Sequence, residues 1–173
     1  MRLFSGQVSL IAEETLRTLV RQSAIEVSSE NQTEVQLDIE SVIREYIRMD
    51  RELTNRARDM VTSAGGGGGA SIGRVKRRLA KEKGVRVGED AVGDIIDQLI
   101  EIFLHNDYVD EIYVEDHDIR RIVAPIIRKY GETEAKLDSE VRNRIKNIEE
   151  GSASWDVEYN RIMGKIKDSK KLE

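Results

Sequence analysis

Residues 64–86 read AGGGGGASIGRVKRRLAKEKGVR, and their interpretation divides the chain. Either the glycines cradle a phosphate, or they link two helices. A P-loop needs Gly-x-x-x-x-Gly-Lys-[Ser/Thr] between a strand and a helix, with the lysine reaching the phosphates and the hydroxyl holding magnesium. The stretch Gly68–Val75 has glycines at that spacing, but Arg74 stands at the lysine position and Val75 at the hydroxyl position. The preceding RARDMVTSA (56–64) has the pattern of a helix end. Five consecutive glycines are therefore expected to be a flexible linker. The expected organisation is an N-terminal unit over 1–63, a hinge over 64–72, and a C-terminal unit over 73–173 that begins with a basic helix over 73–83.

Working outward, apolar residues recur at the 3.6-residue helical period in most of the chain. Val8, Ile11, Ala12, Leu16 and Leu19 predict a helix over about 6–22. Ile25 and Val27 alternate, as do Val35 and Leu37, with SSEN between, which predicts a small β-hairpin. From Asp38 the helical period returns through Ile39, Val42, Ile43, Tyr46, Leu53 and Ala57 to Val61. Beyond the glycines it restarts at Ile72, Val75 and Leu79 and stops at Lys83-Gly84, where glycine takes a left-handed cap. A further helix runs from Ala91 to Leu104. HNDYVDEIYV (105–114) is strand-like, and another helix starts near Asp116 as N-cap, with Asp118 at the positive end of its dipole. Pro125 within it predicts a kink or a shortened regular part. Two last helices carry Leu137, Val141 and Ile145, then Trp155, Tyr159, Ile162 and Ile166. Trp155 is expected to anchor the final helix in the core.

The two halves align. A shift of 84 residues pairs Val8 with Val92, Ala12 with Ile96, Leu16 with Ile100, Leu19 with Phe103 and Ile25 with Val109. A shift of 80 then pairs Ile39 with Ile119, Val42 with Ile122, Ile43 with Val123 and Tyr46 with Ile126. This order predicts a duplicated unit. The expected fold is mainly α: two similar helix–extended–helix lobes with at most small β-hairpins, closed by a C-terminal helical pair.

The net charge of −5 is unevenly spread. Residues 64–86 hold 7 basic and 1 acidic side chains, whereas 87–118 hold 11 acidic and none basic. On a helix, Arg74, Arg77, Arg78 and Lys81 fall within about 100° of one another, opposite Ile72, Val75 and Leu79. Such a helix docks by its apolar stripe and offers cations to a polyanion, nucleic acid included. The alternative is a solvated face balanced by the acids of 87–118. The acidic total and the few aromatics weigh against nucleic acid, because base stacking needs aromatic platforms.

The chain has no cysteine, so disulfides and thiolate chemistry are excluded. His105 and His117 lie among acidic residues, but no spacing matches a metal site of the HExxH or EF-hand kind. No Gly-x-Ser-x-Gly elbow occurs, and no carboxylate pair stands out for acid–base work. No catalytic residue, metal or cofactor is expected. Glu13, Glu14 and Arg17 interrupt what a signal peptide would need as an apolar run, and 18 apolar residues never occur in succession. No membrane association is expected.

The opening MRLFSGQVSLIAEETLRTLV (1–20), the central VDEIYVEDHDIRRIV (109–123) and the closing GSASWDVEYNRIM (151–163) resemble a bacterial family catalogued as domain of unknown function 507. The resemblance spans nearly the whole chain, with Gly65–Gly69 as a departure. It implies a bacterial cytoplasmic protein and brings no activity, substrate or cofactor. Where Asp110, Glu111, Glu115, Asp116 and Arg120 match the central motif, they mark a candidate interaction surface. The expected function is a non-enzymatic interaction or scaffold protein, with a protein partner or self-association. A nucleic-acid-binding module using the basic helix is the alternative.

Overall fold

The structure, a computed structural model, describes residues 1–63, 71–131, 133–145, 148 and 153–170. Of the hinge expected over 64–72, residues 64–70 lie outside the described residues, whereas Ser71 and Ile72 are the N-cap and first residue of α3. The described chain is mainly α, as its periodicity predicts. It contains α1 (Val8–Arg21), β1 (Ile25–Glu26), α2 (Gln32–Ser63), α3 (Ile72–Glu82), α4 (Ala91–His105), β2 (Glu111–Ile112), α5 (Asp116–Gly131), α6 (Thr133–Arg144) and α7 (Ala153–Lys170). Short 3-10 turns precede both α1 (Ser5–Gln7) and α4 (Gly88–Asp90), so one order of elements occurs in each half.

The apolar stripes of α1, α2, α4 and α5 meet in a single core. Ile11, Leu16 and Leu19 of α1 and Ile39 and Ile43 of α2 are buried in one cluster with Ile95, Ile96 and Leu99 of α4 and Ile119 and Ile127 of α5. The two halves thus share one interior. Each of these stripes is about three residues per two turns wide, enough to cover one neighbour and too narrow to enclose a core alone.

The local hairpin expected over residues 25–37 does not form. Val35 and Leu37 belong to α2, which begins at Gln32 and runs for 32 residues, about 48 Å. Asn31 stands just before it, its carbonyl accepting from the Val35 N–H at 3.0 Å. The strand Ile25–Glu26 pairs instead with Glu111–Ile112 of the other half, antiparallel, with Ile25 opposite Ile112 and Glu26 opposite Glu111. Flanking bonds extend the ribbon: Asp110 N–H donates to the Glu26 carbonyl and Tyr113 N–H to that of Ala24, both at 2.9 Å. The alternation was real, but α2's apolar face outcompetes a second strand because Val35 is fully buried in the shared core.

Helix ends follow local chemistry. Gly84, at φ 70°, closes α3, with Val85 N–H reaching the Ala80 carbonyl at 3.0 Å. Ser23 performs the same task after α1 at φ 54°, a conformation that costs a non-glycine residue about 1 kcal/mol. α5 begins one residue earlier than expected: the Glu115 carbonyl accepts from Asp118 N–H at 2.9 Å, so Glu115 caps and Asp116 is the first helical residue. α5 continues through Pro125, whose side chain is exposed, so the missing N–H falls on the solvent side.

A polar cluster fastens α1 to α5 outside the core. The Glu14 carboxylate accepts from Lys129 Nζ at 2.9 Å and from the Tyr130 hydroxyl at 2.7 Å. The Lys129 hydrogen bond is the main cause holding Glu14 below the ordinary carboxyl value of 4.5, and burial lifts Tyr130 to about 12. A depressed carboxyl stabilises the fold at neutral pH, and that contribution is lost as pH falls through the folded-state value, below 4.5. Glu14→Gln is therefore expected to lower the melting temperature at pH 7 and to flatten its acid limb below about pH 4.5, measured by circular dichroism across pH 2.5–8.

Candidate polyanion interface

The sequence places α3's apolar stripe opposite its basic one, and the structure shows what that stripe meets. Val75, Leu79 and Ala80 are buried against Leu53 and Ala57 in the second half of α2, forming a cluster separate from the main core. Two lysines at the border of the buried stripe reach back to α2. Lys76 Nζ lies 2.6 Å from Asp50, with side chains 20% and 12% exposed, and Lys83 Nζ lies 2.7 Å from Glu52. Ser71 caps the helix, its hydroxyl accepting from Arg74 N–H.

The four predicted cations all project outward. Arg74, Arg77, Arg78 and Lys81 are exposed. Arg78 approaches Glu82 within the helix at 3.6 Å, whereas Arg74, Arg77 and Lys81 have no counter-ion within 4 Å among the described residues. The acidic block does not lie over them. Of the seven cations between 74 and 86, only Arg86 meets it, bonding Asp94 and, at 3.0 Å, Asp97.

α7 serves as an internal comparison. It docks on α6 through Ile162 and Ile166 against Leu137 and Val141, the same i,i+4 pairing that joins Val75 and Leu79 to Leu53 and Ala57. On α7, however, Arg161 is held by Glu158 at 2.9 Å.

The candidate interaction residues divide. Asp110 is spent on structure, its carboxylate accepting Ser28 N–H at 2.6 Å. Glu111 stands on the ribbon opposite Glu26, and Glu115 and Asp116 lie exposed at the start of α5. Arg120 faces elsewhere and bonds Asp97 on α4. Beside the ribbon lie further residues outside the candidate set: Glu26, Asp107, and the exposed Tyr108 and Tyr113. Tyr113 donates its hydroxyl to Glu26, which raises the pKa of Tyr113. Asp50 and Asp97, the partners of Lys76 and Arg120, were equally invisible, since nothing in a sequence marks which acid a distant cation will meet.

His105 Nδ1 lies 2.8 Å from the Glu101 carbonyl and His117 Nε2 lies 3.4 Å from Asp118. Trp155 is half-buried, outside the buried set of α6 and α7 where it was expected. It stacks on Tyr159 with ring centroids 4.9 Å apart, and the Arg142 guanidinium of α6 lies 5.3 Å over its ring. No described helix is long and apolar enough to cross a membrane.

The fold is mainly α, with its exposed basic ridge on a docked helix, α3. Over residues 1–172 the chain matches the family described as protein of unknown function (DUF507), and it belongs to that family. No curated protein matches it.

The mostly buried Lys76–Asp50 pair is the polar lock of α3 on α2. Removing one partner strands the other, so Asp50→Ala is expected to cost about 2–3 kcal/mol, less than a fully buried pair because some solvent reaches it. The double replacement Asp50→Leu with Lys76→Met is expected to recover most of that loss. Urea denaturation of the three proteins checks both expectations.

Proposed function

We propose that the protein is a non-catalytic cytoplasmic binding protein whose α3 ridge engages the phosphate backbone of nucleic acid. The observation that carries this is the set Arg74, Arg77 and Lys81, exposed on one helix face without a counter-ion among the described residues. A row of cations fixed on a docked helix releases counter-ions when phosphates replace water, with no need for base contacts. The recurrence of a 3-10 turn, helix, strand and helix in each half supports an internal duplication.

A scaffold role by self-association is favoured by a second observation. Glu26, Asp107, Asp110, Glu111, Glu115 and Asp116 are exposed around the ribbon, with no ion pair among the described residues. The ribbon adjoins the start of α2 at Gln32, whereas α3 is anchored at Asp50 and Glu52, eighteen and twenty residues along it. At 1.5 Å per residue that is about 27–30 Å. Such a distance exceeds the screening length of about 10 Å at 0.1 M salt, so the two faces do not neutralise each other within one molecule. A second copy could bring them together.

Fluorescence anisotropy with generic RNA and duplex DNA tests the first reading. Binding is expected at low salt, falling with a log–log slope of about −3 for three phosphate contacts. Arg74→Glu, Arg77→Glu and Arg78→Glu together are expected to abolish it, and retained binding would refute the assignment. Sedimentation without nucleic acid tests the second: mass rising with concentration at low salt and reverting to monomer at 0.5 M supports self-association, and a monomer throughout removes it.

A further inference from the structure

We infer that the segment Met1–Phe4 is a strap that ties the α6–α7 pair to the four-helix body, and that lifting it lets the pair open while the body stays folded. The pair has a core of its own. Leu137 and Val141 of α6 meet Ile162 and Ile166 of α7 in a cluster separate from that of α1, α2, α4 and α5. Two helices alone cannot enclose an interior, so this cluster needs cover from elsewhere. Among the described residues, its buried set takes in one side chain from outside the pair, Phe4.

The strap serves both interiors at once. Leu3 is buried in the shared core, whereas the next residue, Phe4, is buried in the α6–α7 core. Extended backbone sends successive side chains to opposite sides, and Phe4 is extended, at φ −114° and ψ 148°. Gln7 fixes the path: its Oε1 accepts from Phe4 N–H at 3.0 Å, and its Nε2 donates to the Tyr130 carbonyl at 3.4 Å. Met1 lies against Gly131, the last residue of α5. A β-carbon at Gly131 would stand 2.2 Å from Met1 Cγ, so a side chain there has to push Met1 away. An aromatic ring buries about 150–250 Å². Phe4 is therefore a large part of what a core of four aliphatic residues can bury, and its withdrawal loosens the pair first. The body keeps its own buried stripes whether or not Phe4 is seated.

This device is independent of nucleic-acid binding and is tested without it, by native-state hydrogen exchange on the full chain. Phe4→Ala is expected to speed exchange about a hundredfold at Leu137, Val141, Ile162 and Ile166. Ile11, Ile96 and Ile119 of the body are expected to stay within about threefold of their original rates. Phe4→Leu, which keeps an apolar group in the pocket, is expected to restore most of the protection. Gly131→Ala provides a second variant that leaves Phe4 itself in place. Alanine favours the helix more than glycine does, so faster exchange in the pair, expected here too, reports the displaced Met1. Unchanged exchange in α6 and α7 of Phe4→Ala would show that the segment straps nothing. Equal acceleration in body and pair, or loss of the whole fold, would show one cooperative unit and overturn the inference as well.

Discussion

The shared burial of four helix stripes is the constraint on which everything else depends. α1 and α2 pack together, as do α4 and α5, but each pair leaves an apolar face that only the other pair covers. Water drives those faces together. The brief ribbon between Ile25–Glu26 and Glu111–Ile112 follows from that docking. Two residue pairs of backbone contact do not assemble a sheet by themselves. Once the helices meet, however, the extended connections lie side by side, and their backbone groups satisfy one another. The cross-strand placement of Glu26 opposite Glu111 is unfavourable by itself. It persists because Ile25, almost fully buried, sets the register.

α3 stands apart from that core. Its small apolar cluster on α2 is reinforced by Lys76–Asp50 and Lys83–Glu52, so its outward face is free of structural duties. α7 docks on α6 by the same apolar spacing, with its Arg161 paired to Glu158. Charge on α3 is thus separable from stability, which is the usual condition for a surface that serves recognition. The acidic ribbon at the other end of α2 gives the molecule a long-range polarity that its small net charge conceals.

Much of the helical framework was legible because helix formation against a core leaves a local mark. The stripes of α1, α2, α4 and α5, the stop at Gly84 and the basic ridge of α3 all follow from residues three and four apart. The alternation at 25–37 misled because a two-residue strand and the first turn of a helix share apolar residues at similar spacing. Val35 then goes where burial is greatest. Asp116 misled by one position for a simpler reason: a backbone carbonyl, that of Glu115, supplied the cap acceptor.

By itself the sequence determined the mainly helical class, the segregation of charge into a basic and an acidic block, and the residues facing outward on α3. Periodicity reports which side of an element is apolar, since that depends on neighbours along the chain. Tertiary structure alone decided that both halves share one core, that β1 pairs with β2, and that Asp50 receives Lys76. Each of these depends on which distant surface a given face encounters, and that choice is made by shape and burial summed over the whole molecule.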